Sequence, residues 1–540
     1  MASTSSLRWW SHYVAEQLHT FSDDHPLQIA LRTYSLALSL SLSPVLAGFL
    51  AKPRRSGAAQ LLRALRRELG FTGFASAFTV AIAGGAALRS LLAYLEKEQQ
   101  GILPLRAKTF LSRLKDVHKT FSANALSAYI AIALLQHRRS RPSTPSTHRS
   151  SGITPIQRSS PTIDLTLLVL VRALDSVVRS VLFSHSTTQD VLSSGELKRA
   201  ENRRRTLSAR LDAMVFWASS ARIMWCFFYE PQRLPRSYNT WIMTLANIDP
   251  RILGALRAIR EGRWSYVRRI AVPSDLLSSL SRDLGYPESW GSVTRLPAFG
   301  GPAANGAWKT LAVSNRPNLG GIPCELVHGG IGGGSCAASA ALRSGKAFAE
   351  AMLIYLPVHV LPILLYRPRK LTRVHNIMNT LLSVTRSATF LSSFVSSIWV
   401  AVCLTRTLLL ARLFPWISHD FWDGPHGCAF LGTLVCGGSI WIEQGRRRGE
   451  MALYVLPKAI RACLPEAFLR SGLRVQLLER LVFVASLATL LTKFVHDTSS
   501  LRGLPRWALT FVMNGSNAGF WKKKRQDTSD SPPPRTPYTI

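Results

Sequence analysis

Two cysteines and a histidine surround a run of glycines in the segment CELVHGGIGGGSCAAS, which begins at Cys324. The side chains of Cys324, His328 and Cys336 are of types that bind zinc, and glycines 329–334 could bring backbone N–H groups close to an anion. A closed zinc site needs a fourth ligand, and Glu325 is poorly placed because it adjoins Cys324. The sequence alone therefore predicts no bound metal, and it favours a chain break before a membrane helix.

The glycine run also fails the motifs of nucleotide-binding and hydrolytic enzymes. Ala337 stands where G-x-S-x-G requires its last glycine, and no lysine follows the run as a Walker loop requires. Neither H-E-x-x-H nor C-x-x-C occurs, and the 13 histidines are dispersed. We therefore expect no catalytic residue, no cofactor and no enzymatic activity.

The composition indicates a membrane protein rather than a nucleic-acid-binding one. Hydrophobic residues make up 47% of the 540 residues, and 66 Lys and Arg against 30 Asp and Glu give a net charge of +36. The cations cluster at the ends of apolar segments, as they do in the short loops of membrane proteins. The seven cysteines are scattered and odd in number, which predicts reduced cysteines. We expect membrane lipids as partners and no nucleic acid.

Apolar runs near the length that crosses a bilayer, about 20 residues, recur along the chain. They predict an all-α fold, a polytopic integral membrane helical bundle. Residues 195–210, with the sequence GELKRAENRRRTLSAR, predict a basic amphipathic helix. The runs are 27–50, 71–95, 121–136, 162–184, 347–366, 387–411, 427–444, 451–464 and 481–497.

Four of these elements recur in the same order, which predicts an internal duplication of 27–184 and 347–464. Each first helix carries an early tyrosine and a basic exit that contains proline, and each third helix ends in glutamine followed by arginines. The fourth pair places Arg172 opposite Lys458. The predicted domains are 1–26, an N-terminal segment; 27–185, the first helical membrane repeat with a basic disordered loop at 137–161; 186–323, a polar and amphipathic linker region; 324–512, the second helical membrane repeat; and 513–540, a disordered tail that is basic and rich in proline.

Small residues four apart on the third helices predict close helix packing, because small side chains let backbones approach in lipid. Charges on the fourth helices are candidates for intramembrane contacts with lipid headgroups or ions, although cations at an interface also snorkel. Asp175 can reach Arg172 and Arg179 on one helix face, and Lys458 marks the equivalent region of the second half. The small residues are Ala123, Ser127 and Ala131, and Ala429, Thr433 and Gly437.

From residue 324 to about 465 the chain resembles the transmembrane protein 135 family, in its cysteine-rich N-terminal domain. The family's His-Pro-Ser-Cys run is a glycine run here, and the resembling half lies C-terminally in this chain. The residues that carry the resemblance are Cys324, His328, Ser335, Cys336, Glu350, Ile354, Tyr355, Pro357, Arg369, Lys370, Leu371, Trp422, Pro425, Gly427, Ile442, Glu443, Arg447, Arg448 and Gly449.

The resemblance implies a mitochondrial or peroxisomal membrane protein that acts in lipid homeostasis or organelle dynamics, without catalysis. Homo-oligomers or organelle-dynamics proteins are the further partners that it suggests. The third and fourth helices are also distantly similar to the Tim-type translocase superfamily. That similarity keeps a second function open, a translocase- or channel-like pore.

Overall fold

The computed structural model describes residues 25–51, 58–97, 113–137, 160, 162–182, 194–270, 276–314, 316–366, 373–469 and 472–515. Within these ranges the secondary structure is helical, with one isolated bridge between Ser265 and Ile270 and no strand, which confirms the all-α fold. Several predicted segments lie outside the described residues. They are most of the 137–161 loop, the N-terminal segment before residue 25, the tail beyond 515 and the Arg-Lys-Leu segment at 369–371.

Twenty-one α-helices follow one another in these ranges, and π-turns at Val80–Gly84 and Leu404–Leu408 interrupt two of the long apolar ones. In chain order they are α1 Pro26–Ala51, α2 Ala58–Leu69, α3 Phe74–Thr79, α4 Gly85–Lys97, α5 Asp116–His137, α6 Ile163–Leu182, α7 Ser194–Tyr229, α8 Arg236–Ala246, α9 Pro250–Arg260, α10 Leu276–Asp283, α11 Pro302–Thr310, α12 Cys324–His328, α13 Cys336–Tyr366, α14 Val374–Cys403, α15 Leu410–Leu413, α16 His419–Trp422, α17 Cys428–Cys436, α18 Gly445–Cys463, α19 Glu466–Leu469, α20 Leu473–His496 and α21 Gly503–Asn514.

The helices divide into two compact units, one built from α1–α6 with α20 and α21, and one built from α7–α19. Within the described residues the division falls between α6 and α7, and the predicted domain bounds remain a prediction. The described part of the predicted linker, 186–323, is folded and belongs to the second unit. Trp264, Tyr266 and Leu277 lie in a buried core there, and apolar burial of this size stabilises a fold. The last part of the predicted second repeat, from 469, belongs instead to the first unit.

In the first unit, small residues let α5 pack closely against the helix that contains the Val80–Gly84 π-turn. Ser127 is buried and donates a hydrogen bond to the Ala81 carbonyl at 3.1 Å. A Cβ added to Gly84 would lie 2.7 Å from Ser127 Oγ, and one added to Gly85 would lie 2.3 Å from Asn124 Oδ1. These approaches confirm that the Ala123, Ser127 and Ala131 ladder forms a bundle interface.

In the second unit, α13, α14 and α17 pack side by side, and α7 packs against α17 and α18. The second set of small residues, Ala429, Thr433 and Gly437, likewise lets helices pack closely there. Ala429 and Thr433 are buried, and a Cβ on Gly437 would lie 2.8 Å from the Cα of Trp217 on α7. The basic segment predicted as a helix at 195–210 is the first part of α7, which runs on to Tyr229.

In the part of the chain that the structure describes, four helices are long and apolar enough to cross a membrane: Pro26–Leu46, Leu61–Glu96, Val374–Leu413 and Leu473–His496. They correspond to four of the nine apolar runs, and Cys428–Ile442 is a shorter apolar helix. Large apolar side chains on these helices face outwards, including Leu473, which is 76% exposed. Such exposure suits contact with lipid and makes this a membrane protein.

Candidate functional site

The second unit gathers the cysteine and histidine side chains of the glycine-rich segment into one cluster. His328 ends α12, Cys336 begins α13, and Cys403 is the last residue of α14. One ring nitrogen of His328 and the two sulfur atoms all lie within 4.8 Å of one another. His328 and Cys403 are buried, and Cys336 is half-buried. The structure thus supplies, in Cys403, a thiol that the sequence analysis did not connect with this segment.

Cys324 joins the cluster from the first turn of α12. Arg316 donates an N–H to its sulfur at 3.1 Å, and Thr407 Oγ1 lies 3.5 Å from the same sulfur. The neighbouring Cys336 thiol and burial raise the pKa of the Cys324 thiol to about 12, against the opposing effect of the Arg316 charge. Cys324 therefore adjoins the group, but only His328, Cys336 and Cys403 have ligand atoms within 4.8 Å of one another.

The glycine run forms the turn that folds α13 back onto α12. Gly329 ends α12 in the left-handed conformation (φ 60°), and Gly332 has φ 75°. A Cβ on Gly332 would lie 2.6 Å from the backbone nitrogen of Ser339, so only glycine fits without movement. The Gly333 carbonyl accepts a hydrogen bond from His328 Nδ1 at 2.7 Å. The glycine run therefore shapes the cluster of His328, Cys336 and Cys403. Its sequence alone predicts only a chain break before α13.

That hydrogen bond fixes the ring of His328. Because a carbonyl only accepts, Nδ1 carries the proton and Nε2 keeps its lone pair in the neutral ring. Burial alone lowers the pKa of His328, but the hydrogen bonds to Cys336 and to the Gly333 carbonyl offset it, and the net change is upward. The Arg343 guanidinium also donates a hydrogen bond to the His328 carbonyl, with a nitrogen-to-oxygen distance of 2.8 Å.

A buried ionic group lies beside the thiols, on the π-turn that follows Cys403. Arg406 Nε lies 2.5 Å from Asp423 Oδ1, and both side chains are 3% exposed. Tyr266 donates its hydroxyl to Asp423 at 2.8 Å. Burial raises the pKa of Asp423, but the Arg406 charge and these hydrogen bonds outweigh it and hold the pKa below its usual value. The Arg406 charge and the Tyr266 hydroxyl therefore keep Asp423 charged although it is buried.

His419 completes this ionic group as a neutral ring. Its Nδ1 is 4.0 Å from Asp423 Oδ2, and burial lowers the pKa of His419 from 6.5 to about 3. Gly320 and Gly321 press against the imidazole, since a Cβ on either would lie within 2.7 Å of a ring atom. Only glycine therefore fits at these two positions without moving the ring.

A second feature of this unit is a pair of adjoining cavities between α7, α8, α13, α14 and α18. One, of about 330 Å³, is lined almost entirely by apolar side chains. The other, of about 650 Å³, which we call the polar cavity, has polar side chains in its wall together with apolar ones such as Val358 and Ile363. Tyr355, Glu450 and Met451 line both. The apolar cavity includes Phe216, Met224, Trp241, Leu245, Phe394 and Ile398; the polar one includes His359, Asn376, Asn379, Thr380, Ser387 and Arg447.

Several residues of the family motif lie at the polar cavity. Glu443 is buried beneath it and accepts a hydrogen bond from Ser387 at 2.8 Å. Arg447 donates to the Ser387 hydroxyl at 3.0 Å and lies 3.6 Å from Glu443. Glu350 is half-buried near Lys346, at 4.0 Å. The sequence marked Tyr355, Arg447 and Glu443 but gave no sign that Tyr355 and Arg447 line one cavity or that Ser387, in the same wall, bonds to Glu443.

Other motif residues hold the turn between α16 and α17. Trp422 is buried, and a Cβ on Gly427 would lie 2.2 Å from the Trp422 carbonyl oxygen, which explains the glycine. The Pro425 carbonyl accepts a hydrogen bond from Trp225 on α7 at 3.0 Å. These residues position helices rather than touch a cavity.

The predicted intramembrane charges fall in different units. Asp175 pairs with Arg502 at 2.9 Å, a partner from the segment before α21 that the helix spacing could not indicate. Arg172 lies on the same helix, α6, in the first unit. Lys458 lies in the second unit, where its ammonium is 3.5 Å from the centre of the Tyr454 ring and 5.2 Å from that of Tyr238.

Residues 325–464 match the family model for the N-terminal cysteine-rich region of Transmembrane protein 135, and this match confirms the resemblance. The matched segment contains His328, Cys336, Cys403 and both cavity-lining helices α13 and α14, and Cys324 directly precedes it. Neither the curated proteins nor the solved structures contain a match to this chain.

Proposed function

We propose that this protein binds an amphipathic lipid in the second unit and acts in lipid homeostasis of mitochondria or peroxisomes, without catalysis. The adjoining apolar and polar cavities are the observation that carries this proposal. An apolar cavity of about 330 Å³ is within the range of small-molecule sites, which are mostly apolar with a few polar groups that orient the ligand. The organelle and the lipid role rest on what the family resemblance implies.

The two cavities match the two ends of a lipid. The apolar cavity offers aromatic and aliphatic side chains to an acyl chain, whose burial is favourable in proportion to the apolar area removed from water. Arg447 and the neighbouring amides and hydroxyls in the polar cavity offer donors to an anionic headgroup. The ligand class that fits is therefore an acyl lipid with a phosphate or carboxylate headgroup.

Filling the apolar cavity tests the acyl-chain part of the proposal. In detergent-purified full-length protein, we expect Leu245→Trp to weaken binding of a fluorescent phosphatidic acid by about tenfold or more, since 1.4 kcal/mol is a factor of ten. Leu353→Trp is the matched control, because Leu353 is 75% exposed and lines neither cavity. Unchanged binding by Leu245→Trp alongside an intact fold would reject the cavity as the site.

Removing a cavity cation tests the headgroup part. Arg447→Gln should weaken the binding of phosphatidic acid more than the binding of phosphatidylcholine. Arg446→Gln should weaken neither, because Arg446 is exposed and does not line the cavity. An equal loss for both lipids would show that Arg447 has a packing role only.

Reconstituted vesicles separate lipid binding from the pore hypothesis. We expect the protein to transfer labelled lipid between vesicles without releasing an entrapped small dye. Dye release that depends on the protein, without lipid transfer, would favour a channel. Fractionation with carbonate extraction tests location: the protein should stay with mitochondrial or peroxisomal membranes, and complete release into the soluble fraction would contradict the proposal.

A further inference from the structure

We propose a structural zinc site in the second unit, independent of the lipid site. The geometry points to four ligands from three helices: Cys324, His328, Cys336 and Cys403. A metal held by them would fasten α12, the glycine turn and α13 to the end of α14.

Ligand spacing is the first support. In a tetrahedral zinc site, Zn–S distances of about 2.3 Å and Zn–N distances of about 2.0 Å place the ligand atoms roughly 4 Å apart. The reactive atoms of His328, Cys336 and Cys403 already lie within 4.8 Å of one another. Cys324, in the first turn of α12, lies outside that group of three, and its side chain would have to move towards them to complete a tetrahedral set.

The surroundings of His328 are the second support. Histidines that bind metals commonly give their other ring N–H to a carboxylate or carbonyl group, which fixes the tautomer and orients the ring. His328 Nδ1 donates such a hydrogen bond to the Gly333 carbonyl, at 2.7 Å. The nitrogen left with a lone pair is Nε2, so the ring is prepared to donate to a metal.

Charge is the third support. A zinc ion with three thiolates and a neutral imidazole carries one net negative charge. The guanidinium of Arg316 is fully buried and donates to Cys324 Sγ at 3.1 Å, so it would balance that charge directly. A buried cation costs free energy unless an anion accompanies it, and a metal-bound thiolate supplies one. Thr407 Oγ1, at 3.5 Å from the same sulfur, adds a second polar contact.

The donor set selects the metal. Thiolates with imidazole suit zinc, whereas oxygen ligands would be needed for magnesium or calcium. Four protein ligands leave no open position, which is the arrangement of structural zinc sites rather than catalytic ones. The site therefore predicts a stabilising role for the metal and no hydrolytic activity.

Metal content of the full-length protein tests the proposal. Protein produced with zinc in the medium and purified in detergent without chelators should contain about one zinc ion per chain by mass spectrometry. Cys403→Ser and His328→Gln should lower the content by at least about tenfold. Cys436→Ser is the matched control, since Cys436 is a buried free cysteine of the same unit outside the cluster, and it should retain zinc.

A spectrum of the unaltered protein keeps the test decisive if a variant fails to fold. Exchange of the metal for Co²⁺ should give the intense visible bands of tetrahedral cobalt together with thiolate-to-cobalt charge transfer, and addition of zinc should abolish both. Wild-type protein that lacks zinc and gives no such bands would overturn the proposal. Equal zinc content in folded Cys403→Ser and Cys436→Ser proteins would also overturn it.

Discussion

His419 is a neutral imidazole locked inside the second unit, and this makes the unit sensitive to acid. In the folded protein its pKa is about 3, whereas in the unfolded chain it returns to about 6.5. Between these values the unfolded state binds more protons, so this contribution to stability is complete above pH 6.5 and falls as the pH decreases towards 3. The facing charges, Arg406, Arg316 and Asp423, do not change over most of that range.

We therefore predict that the free energy of unfolding falls by about 2 kcal/mol from this residue alone between pH 6.5 and pH 5. Chemical denaturation of the detergent-solubilised protein at several pH values measures it. His419→Gln cannot gain the proton, so the stability of that variant should depend less steeply on pH over the same range. Parallel pH profiles for the two proteins would show that His419 is not the titrating group.

The glycine turn supports a second prediction at this scale. Gly332→Ala should destabilise the unit by about 2 kcal/mol or more, because a left-handed conformation costs about 1–2 kcal/mol for alanine and the Cβ also meets Ser339. Gly333→Ala is the control: φ is 55° there, but nothing lies within 4 Å of its added Cβ. Gly333→Ala should cost about 1 kcal/mol. Denaturant unfolding measures both, and equal losses would contradict the proposed contact.

At the scale of elements, periodicity and apolar length sufficed to predict α1, α14, α20 and the break before α13. They could not predict the thiol cluster, because Cys403 meets His328 only through the packing of α14 on α13. The π-turn after Cys403 further changes which residues face inwards, and it places Arg406 and Thr407 beside Asp423 and Cys324. Such contacts depend on the tertiary arrangement.

The predicted linker failed for a different physical reason. Its polar average hides short helices and turns that bury aromatic side chains among many charged surface residues, such as Trp308 on α11 and Trp264 and Trp290 in the connecting segments. Mean composition over a long segment therefore conceals a small core. The polar start of α7 similarly conceals the aromatic stretch from Phe216 to Tyr229, which supplies much of the core of the second unit.

The internal duplication remains a prediction, and contacts within each unit extend it to a fifth helix. In the first unit α20 packs on α5 and α6; in the second unit α7 packs on α17 and α18. Val215-Phe216-Trp217-Ala218-Ser219 on α7 resembles Val482-Phe483-Val484-Ala485-Ser486 on α20, and Phe and Ser are buried in both. In chain order α7 follows the four elements of the first predicted repeat, but it belongs to the second unit. Likewise α20 follows the four elements of the second predicted repeat, but it belongs to the first unit.

At the scale of the whole molecule, the first unit depends on a distant part of the chain, whereas the second unit is one continuous stretch. The core of the first unit takes Phe483, Leu487 and Leu491 from α20. Polar side chains add to the attachment: Thr162 donates to the buried carboxylate of Glu479 at 2.5 Å, and Lys493 donates to Ser180 at 2.7 Å. The second unit is built from residues that precede α20.

Truncation after Phe468 should therefore unfold the first unit and spare the second. Loss of even one buried phenylalanine side chain costs about 3–5 kcal/mol, and the truncation removes several apolar residues together with α21. Hydrogen exchange should show faster exchange in α1, α5 and α6, while α13, α14 and α18 keep their protection. Phe483→Ala in the full chain should reproduce the selective effect more weakly, and Phe216→Ala should act on the second unit instead. If truncation loosened both units equally, the division of the chain at residues 186 and 469 would not describe independent cores.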